Sequence, residues 1–162
     1  MNSAPLDLLC QDPDEARRLI EGAVLQQDPL RLLDRVVAQG PNWIETEWRV
    51  PEDGSLCRGD DRARILPGTI CTEHVVQGGE LLIYALRGET TPEEGVPVLT
   101  RIRRAKFRGM VQPGDLLQTR VELTESLGPV YRVQASVRVR EARVLDVSLD
   151  FAATTALSKS TA

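Results

Sequence analysis

The sequence predicts one α+β domain, an antiparallel sheet packed against a single long central helix. Three observations lead there. Residues 64 to 88 form a run that is apolar nearly all round, opened by the turn signal Pro67-Gly68 and closed at Gly88; a helix of that kind is buried on all sides. Around Ile44 to Val50, Val133 to Val139 and Leu145 to Phe151, apolar and polar residues alternate with period two, the pattern of strands with one face on a core and the other in solvent. The 162 residues are 41% hydrophobic and 27% charged, an ordinary globular composition for a chain long enough to bury one sizeable core.

Taken in order, Asp12-Pro13-Asp14-Glu15 is a helix-start signature. It predicts a short helix from about Pro13 to Val24, with Leu19, Ile20 and Ala23 on its apolar side and a break at Gln26 to Pro29. A strand pattern begins after Leu32, turns at Gln39-Gly40-Pro41-Asn42 and continues through Ile44, Thr46, Trp48 and Val50 to a turn at Pro51-Glu52-Asp53-Gly54. Residues 58 to 63 are polar, carry adjacent Asp60 and Asp61, and read as a solvated turn. The long helix follows. Its paired Gly78-Gly79 would each cost about 1 kcal/mol relative to Ala, so something must pack close to its backbone there. Glu73, in its first turns, is either paired, favoured by the helix dipole, or chemically employed. After a loop over 88 to 97, a strand over 98 to 108 carries Arg101, Arg103, Arg104, Lys106 and Arg108. Val111-Gln112-Pro113-Gly114-Asp115 is a turn, Leu116 to Leu123 a strand, and the two alternating strands complete a meander. The expected division is 1–28 as an N-terminal extension with a short helix, 29–157 as the domain, and 158–162 as a tail.

Several functions are excluded at this level. The net charge is −4 and aromatics are 4% of residues, so a nucleic-acid partner is not expected even with the basic strand. Cys10, Cys57 and Cys71 form no Cys-x-x-Cys pair, which argues for a reducing, cytoplasmic setting and against a disulfide framework or a metal site. Cys71 reads as a small buried hydrophobe. No stretch suggests a signal peptide or a membrane span. The single histidine, His74, rules out two-histidine chemistry. Being adjacent to Glu73, it points about 100° away on a helix, so it reads as a structural residue.

Three stretches carry a resemblance to a known family. They are Pro29-Leu30-Arg31-Leu32-Leu33-Asp34-Arg35-Val36, then Leu66-Pro67-Gly68 with Glu73 and Gln77-Gly78-Gly79, then Ala105-Lys106-Phe107-Arg108 followed by Val111-Gln112-Pro113-Gly114-Asp115. In this order they resemble the hotdog-fold 3-hydroxyacyl-acyl-carrier-protein dehydratases, over roughly Pro29 to Phe151. The resemblance implies a sheet wrapped around the helix, dimers paired edge to edge with sites at the dimer interface, and elimination of water from a 3-hydroxyacyl thioester in fatty-acid or polyketide-type biosynthesis. It implies Glu73 as the helix carboxylate, contributed to the site by the other protomer, that handles the departing hydroxyl. Gly68, with Thr69, would meet the thioester oxygen at the helix start, and Gln77 would bind substrate one turn on. The basic side chains at 101, 103, 104, 106 and 108 would dock an acyl carrier protein or acyl-coenzyme A. No cofactor is called for.

The family's histidine is lacking. Its position falls on Gly59, or on Asp60 with a one-residue gap, and a second family histidine falls near Gln26. Asp60 or Asp61 is then the candidate replacement base, and a heterodimer with a histidine-bearing homologue is the alternative to a homodimer. Two further readings share the scaffold: a thioesterase in which Glu73 activates water, and a non-catalytic acyl-carrier binder.

Overall fold

The computed structural model describes residues 6–10, 12–24, 26–60, 62–88 and 95–153; Asp61 and the tail expected from 158 lie outside them. Helix α1 (Pro13–Ala23) begins as its sequence dictates. The Asp12 side chain caps it by accepting from Asp14 N–H, Pro13 opens it, and Asp14 and Glu15 occupy the positive end of its dipole. It buries Ala16, Ile20 and Ala23 and packs on β1 (Arg35–Gly40) and on α2 (Gly68–Arg87). Leu8, Ile20, Ala23 and Val24 belong to the same apolar core as the central helix.

One antiparallel sheet carries the rest. In chain order its strands are β1, β2 (Trp43–Arg49), β5 (Pro97–Phe107), β6 (Leu116–Leu127), β7 (Val130–Val139) and β8 (Ala142–Ala153). In space they run β1-β2-β6-β7-β8-β5. Leu117, Val121, Val133, Val137, Leu145, Leu149 and Phe151 point inward and are fully buried, which is the period-two pattern made physical. Helix α2 lies across this apolar face, touching β2, β5, β6, β7 and β8. Every residue from Cys71 to Ile83 is buried except Glu73, which is half-buried. Among the described residues no helix is long and apolar enough to cross a membrane.

The helix starts at Gly68 rather than at residue 64. Pro67 disfavours helical backbone in the residue before it, and Ala63–Ile65 instead form β4, paired with β3 (Arg58–Asp60) in a separate hairpin. Gly59, at φ 123°, supplies the backbone that this hairpin needs. Strand β6 also runs beyond its expected end, to Leu127.

The paired glycines do mark a close approach. A Cβ on Gly79 would sit 2.6 Å from the Phe151 ring, and one on Gly78 would sit 3.1 Å from Val121. Phe151 is fully buried and cannot swing aside. Gly79→Val is therefore expected to cost about 2–3 kcal/mol through overpacking, a drop of several degrees in the thermal midpoint. Trimming the ring with Phe151→Leu should recover part of it as a non-additive pair. An unchanged midpoint in the single variant would contradict the packing.

Candidate active site at the start of the central helix

Helix α2 opens at Pro67, which offers no side-chain cap. The first backbone donors paired within the chain are Ile70 and Cys71, both to the Pro67 carbonyl. The N–H groups of Gly68 and Thr69 make no such bond among the described residues and point out of the positive end of the helix. Thr69 is exposed. Gly68 packs so close to Phe107 that a Cβ would lie 2.6 Å from its ring. The helix start is thus an anion- or carbonyl-accepting corner backed by an aromatic ring.

Glu73 stands one and a half turns further on. Its Oε1 accepts from Gln26 Nε2 at 2.9 Å and from Gln77 Nε2 at 3.1 Å. Among the described residues none bonds its Oε2, so one carboxylate oxygen is anchored and the other is open to a ligand. Gln77 is fully buried and its amide is saturated. Its Oε1 accepts from Leu32 N–H at 2.8 Å, while Nε2 donates to the Leu30 carbonyl at 2.7 Å as well as to Glu73. In this arrangement Gln77 ties the segment before β1 to the helix and fixes Glu73.

His74 is fully buried. A carbonyl can only accept, so Nδ1–H donates to Leu32 O at 2.6 Å, and the Thr119 hydroxyl donates to Nε2 at 2.7 Å. The ring stacks on Trp48 with centroids 5.7 Å apart. Burial pulls its pKa down to about 4, so the imidazole is neutral with both nitrogens engaged. Burial likewise pushes the Cys71 thiol up to about 12, which leaves no thiolate for chemistry.

Two residues of the site are not singled out by the sequence. Glu80 is a second carboxylate in the helix, only 4% exposed. Desolvation first, then the charge of Glu73, raises its pKa to about 8, with the Gln26 amide tempering the rise. A signal for it does exist: a carboxylate seven residues beyond Glu73 falls on the same helix face. Gln26, from the segment ahead of residue 29, touches both glutamates and lines a surface cleft of roughly 570 Å³ with Gln27, Asp28 and Arg31. Its signal is the family resemblance, which places a functional position near it.

The other expected site residues lie apart. Asp60 is exposed at the end of β3, and its Oδ1 closes the hairpin by accepting from Arg62 N–H at 2.9 Å and Ala63 N–H at 3.3 Å. Asp61 lies outside the described residues. Arg101, Arg103, Arg104, Lys106 and Arg108 are all exposed on or just after edge strand β5. Arg103 pairs with Asp150 and Arg108 with Asp146, while Arg101, Arg104 and Lys106 make no ion pair among the described residues.

Comparison with known proteins shows the family and the fold. The model of the FabA-like domain matches residues 60–148. The 3-hydroxyacyl-[acyl-carrier-protein] dehydratase FabZ of Rickettsia massiliae is 31% identical over 113 residues, spanning 68% of this chain and 77% of that protein. FabZ of Thioalkalivibrio sulfidiphilus is 29% identical over 126 residues, spanning 75% and 85%. Among solved structures, the dehydratase heterocomplex ApeI:P from Xenorhabdus doucetiae superposes with a TM-score of 0.69 at 16% identity, over 83% of this chain and 90% of that one. The thioesterase HI1161 from Haemophilus influenzae superposes with a TM-score of 0.58 at 18% identity, over 73% and 76%. The structural likenesses show the shared hotdog fold.

Proposed function

The chain belongs to the FabA-like family, and from that membership we propose that it handles acyl thioesters as a dehydratase of the 3-hydroxyacyl class, with Glu73 as its acid–base carboxylate. The observation that carries the proposal is the half-anchored Glu73, one and a half turns beyond a helix start where the N–H groups of Gly68 and Thr69 make no backbone bond among the described residues. In this reading the thioester carbonyl accepts from those N–H groups, which stabilise the charge that grows on its oxygen when the proton at C2 leaves. Glu73 Oε2 protonates the hydroxyl at C3 as it departs as water. Gln26 and Gln77 hold the other oxygen, so the open one keeps a fixed direction.

The base that takes the C2 proton has to be found outside His74 and Asp60. The chain has one histidine, and it is buried and doubly bonded. Asp60 sits on an exposed hairpin with one oxygen engaged in its turn. These observations favour a specific form of the proposal: a half-site subunit whose histidine comes from a homologous partner. The edge strand β5 supports pairing. Among the described strands it bonds only β8, and Ile102, Phe107 and Met110 are exposed along or just beyond it. Arg101, Arg104 and Lys106 on that strand are the proposed docking charges for an acidic carrier or for pantetheine phosphate. Under this account Ile102→Glu combined with Phe107→Glu shifts sedimentation from dimer to monomer; an unmoved boundary removes the edge-pairing element.

The deciding assay is mass spectrometry of a 3-hydroxyacyl-pantetheine thioester incubated with the protein alone and with a histidine-bearing FabZ whose own helix carboxylate is replaced by Gln, so that it turns over nothing by itself. Loss of one water supports the reading, and its appearance only with the partner supports the half-site form. Release of free thiol selects the thioesterase reading. An unchanged thioester in both incubations removes the enzymatic proposal.

A further inference from the structure

Among the described residues, two buried polar atoms near Glu73 have no hydrogen-bond partner: Gln26 Oε1 and Glu80 Oε2. They belong to residues that lie side by side, and each lacks the same thing, a donor. Gln26 cannot turn round to help. Its Nε2 is held by the Glu73 carboxylate at 2.9 Å, and a carboxylate accepts only, so Oε1 must face away from Glu73. An ionised Glu80 would set two buried acceptors together with no proton between them, an arrangement that folded proteins rarely contain. Glu73 and Glu80 are seven residues apart, about 10 Å along the helix axis. That is too far for a direct bond, and Gln26 spans the gap.

We propose that Glu80 is held as the neutral acid, donates its proton to Gln26 Oε1, and through that amide fixes which oxygen of Glu73 faces the substrate. Glu80 is then a positioning residue, and the chain Glu80–Gln26–Glu73 is one hydrogen-bonded relay. Among the described residues one charged group acts on Glu80, Glu73 on its own helix; from the segment before β1 its neighbour is the uncharged Gln26. Burial and the Glu73 charge both favour the protonated form and outweigh the opposing N–H of the Gln26 amide, in keeping with a pKa of about 8. The functional half of this inference rests on the reading of Glu73 given above; the protonation state does not.

Infrared difference spectroscopy of the full chain, wild type against Glu80→Gln at pH 6, tests it. The expected result is a protonated-carboxyl C=O band present in the wild type and absent in the variant. That band should shift in Gln26→Leu, where its acceptor is gone, and titrate away near pH 8. Identical spectra, or a band that Gln26→Leu leaves unmoved, overturn the proposal. If Glu80→Gln does not fold, ¹³C-glutamate labelling of the wild type decides instead: one side-chain carboxyl resonance must titrate far above the others. Where turnover is measurable, wild type should lose rate through pH 8 and Glu80→Gln should lack that limb. Turnover with the limb unchanged in the variant removes the positioning role. A protein that turns over nothing alone or with the histidine-bearing homologue, yet shows the band, contradicts the proposed function and leaves the relay standing.

Discussion

Replacing Glu73 by Gln is expected to slow water loss by roughly 10²- to 10⁴-fold, the usual share of a positioned general acid, while the fold survives. The geometry separates the two effects. The substituted amide oxygen still accepts from Gln26 and Gln77, so the cost in stability is about 1 kcal/mol, the difference between a charge-assisted and a neutral hydrogen bond. What the variant lacks is a proton to give from the second oxygen. The loss should therefore fall on kcat, with KM nearly unchanged, since the proposed binding N–H groups of Gly68 and Thr69 are untouched. Steady-state kinetics beside a thermal melt read both quantities. A collapsed melt with proportionate loss of rate would make Glu73 a structural residue instead.

The second large effect concerns acid. His74 is neutral in the folded chain with a pKa of about 4, whereas an unfolded histidine has one near 6.5. Between these values the unfolded chain holds a proton that the folded chain does not. Stability supplied by the neutral ring is then fully present above about pH 6.5 and is lost as pH falls toward 4, by about 3 kcal/mol. Glu80 has the opposite sign. Its folded pKa is raised from 4.5 to about 8, so stability falls as pH rises through that window and levels off above it. The slopes cancel where the windows overlap, and the wild type should be most stable between about pH 4.5 and 6.5. Denaturant unfolding of wild type and His74→Gln isolates the first contribution, because the substituted amide can both donate and accept but does not titrate. The wild-type advantage should shrink as pH falls from about 6.5 to about 4. A difference independent of pH would mean that the imidazole is not held neutral.

Strong periodicity makes most of the fold legible in the residues themselves. The apolar run of α2, the alternating strands and the Asp12 cap all appear where residue chemistry places them, and the glycine pair does mark the approach of Phe151 and Val121. Strands β3 and β4 are not legible in this way, because three residues each are too few to show an alternation. Glu73 stands out because it is a carboxylate in the first turns of an apolar run, just after the Pro67-Gly68 turn signal. Glu80 does not, because it hides within one and its partner comes from elsewhere in the chain. Gln26 reaches Glu73 across 47 positions of sequence, a contact that only the folded backbone creates. The angular offset of His74 from Glu73 marks it as structural; its bonds to Leu32 and Thr119 give that reading physical content.

The central claim is that this chain contributes to adding or removing water across an acyl thioester without cleaving it, and the reverse reaction tests it most directly. An α,β-enoyl thioester is incubated in ¹⁸O-labelled water with the protein, alone and with the proposed histidine-bearing homologue carrying Gln in place of its own helix carboxylate, and the position of the label is read by fragmentation. The account predicts label in a hydroxyl at C3 of an intact thioester, lost when Glu73 is replaced by Gln. Label in a released carboxylate, or an enoyl thioester recovered unlabelled, would contradict it.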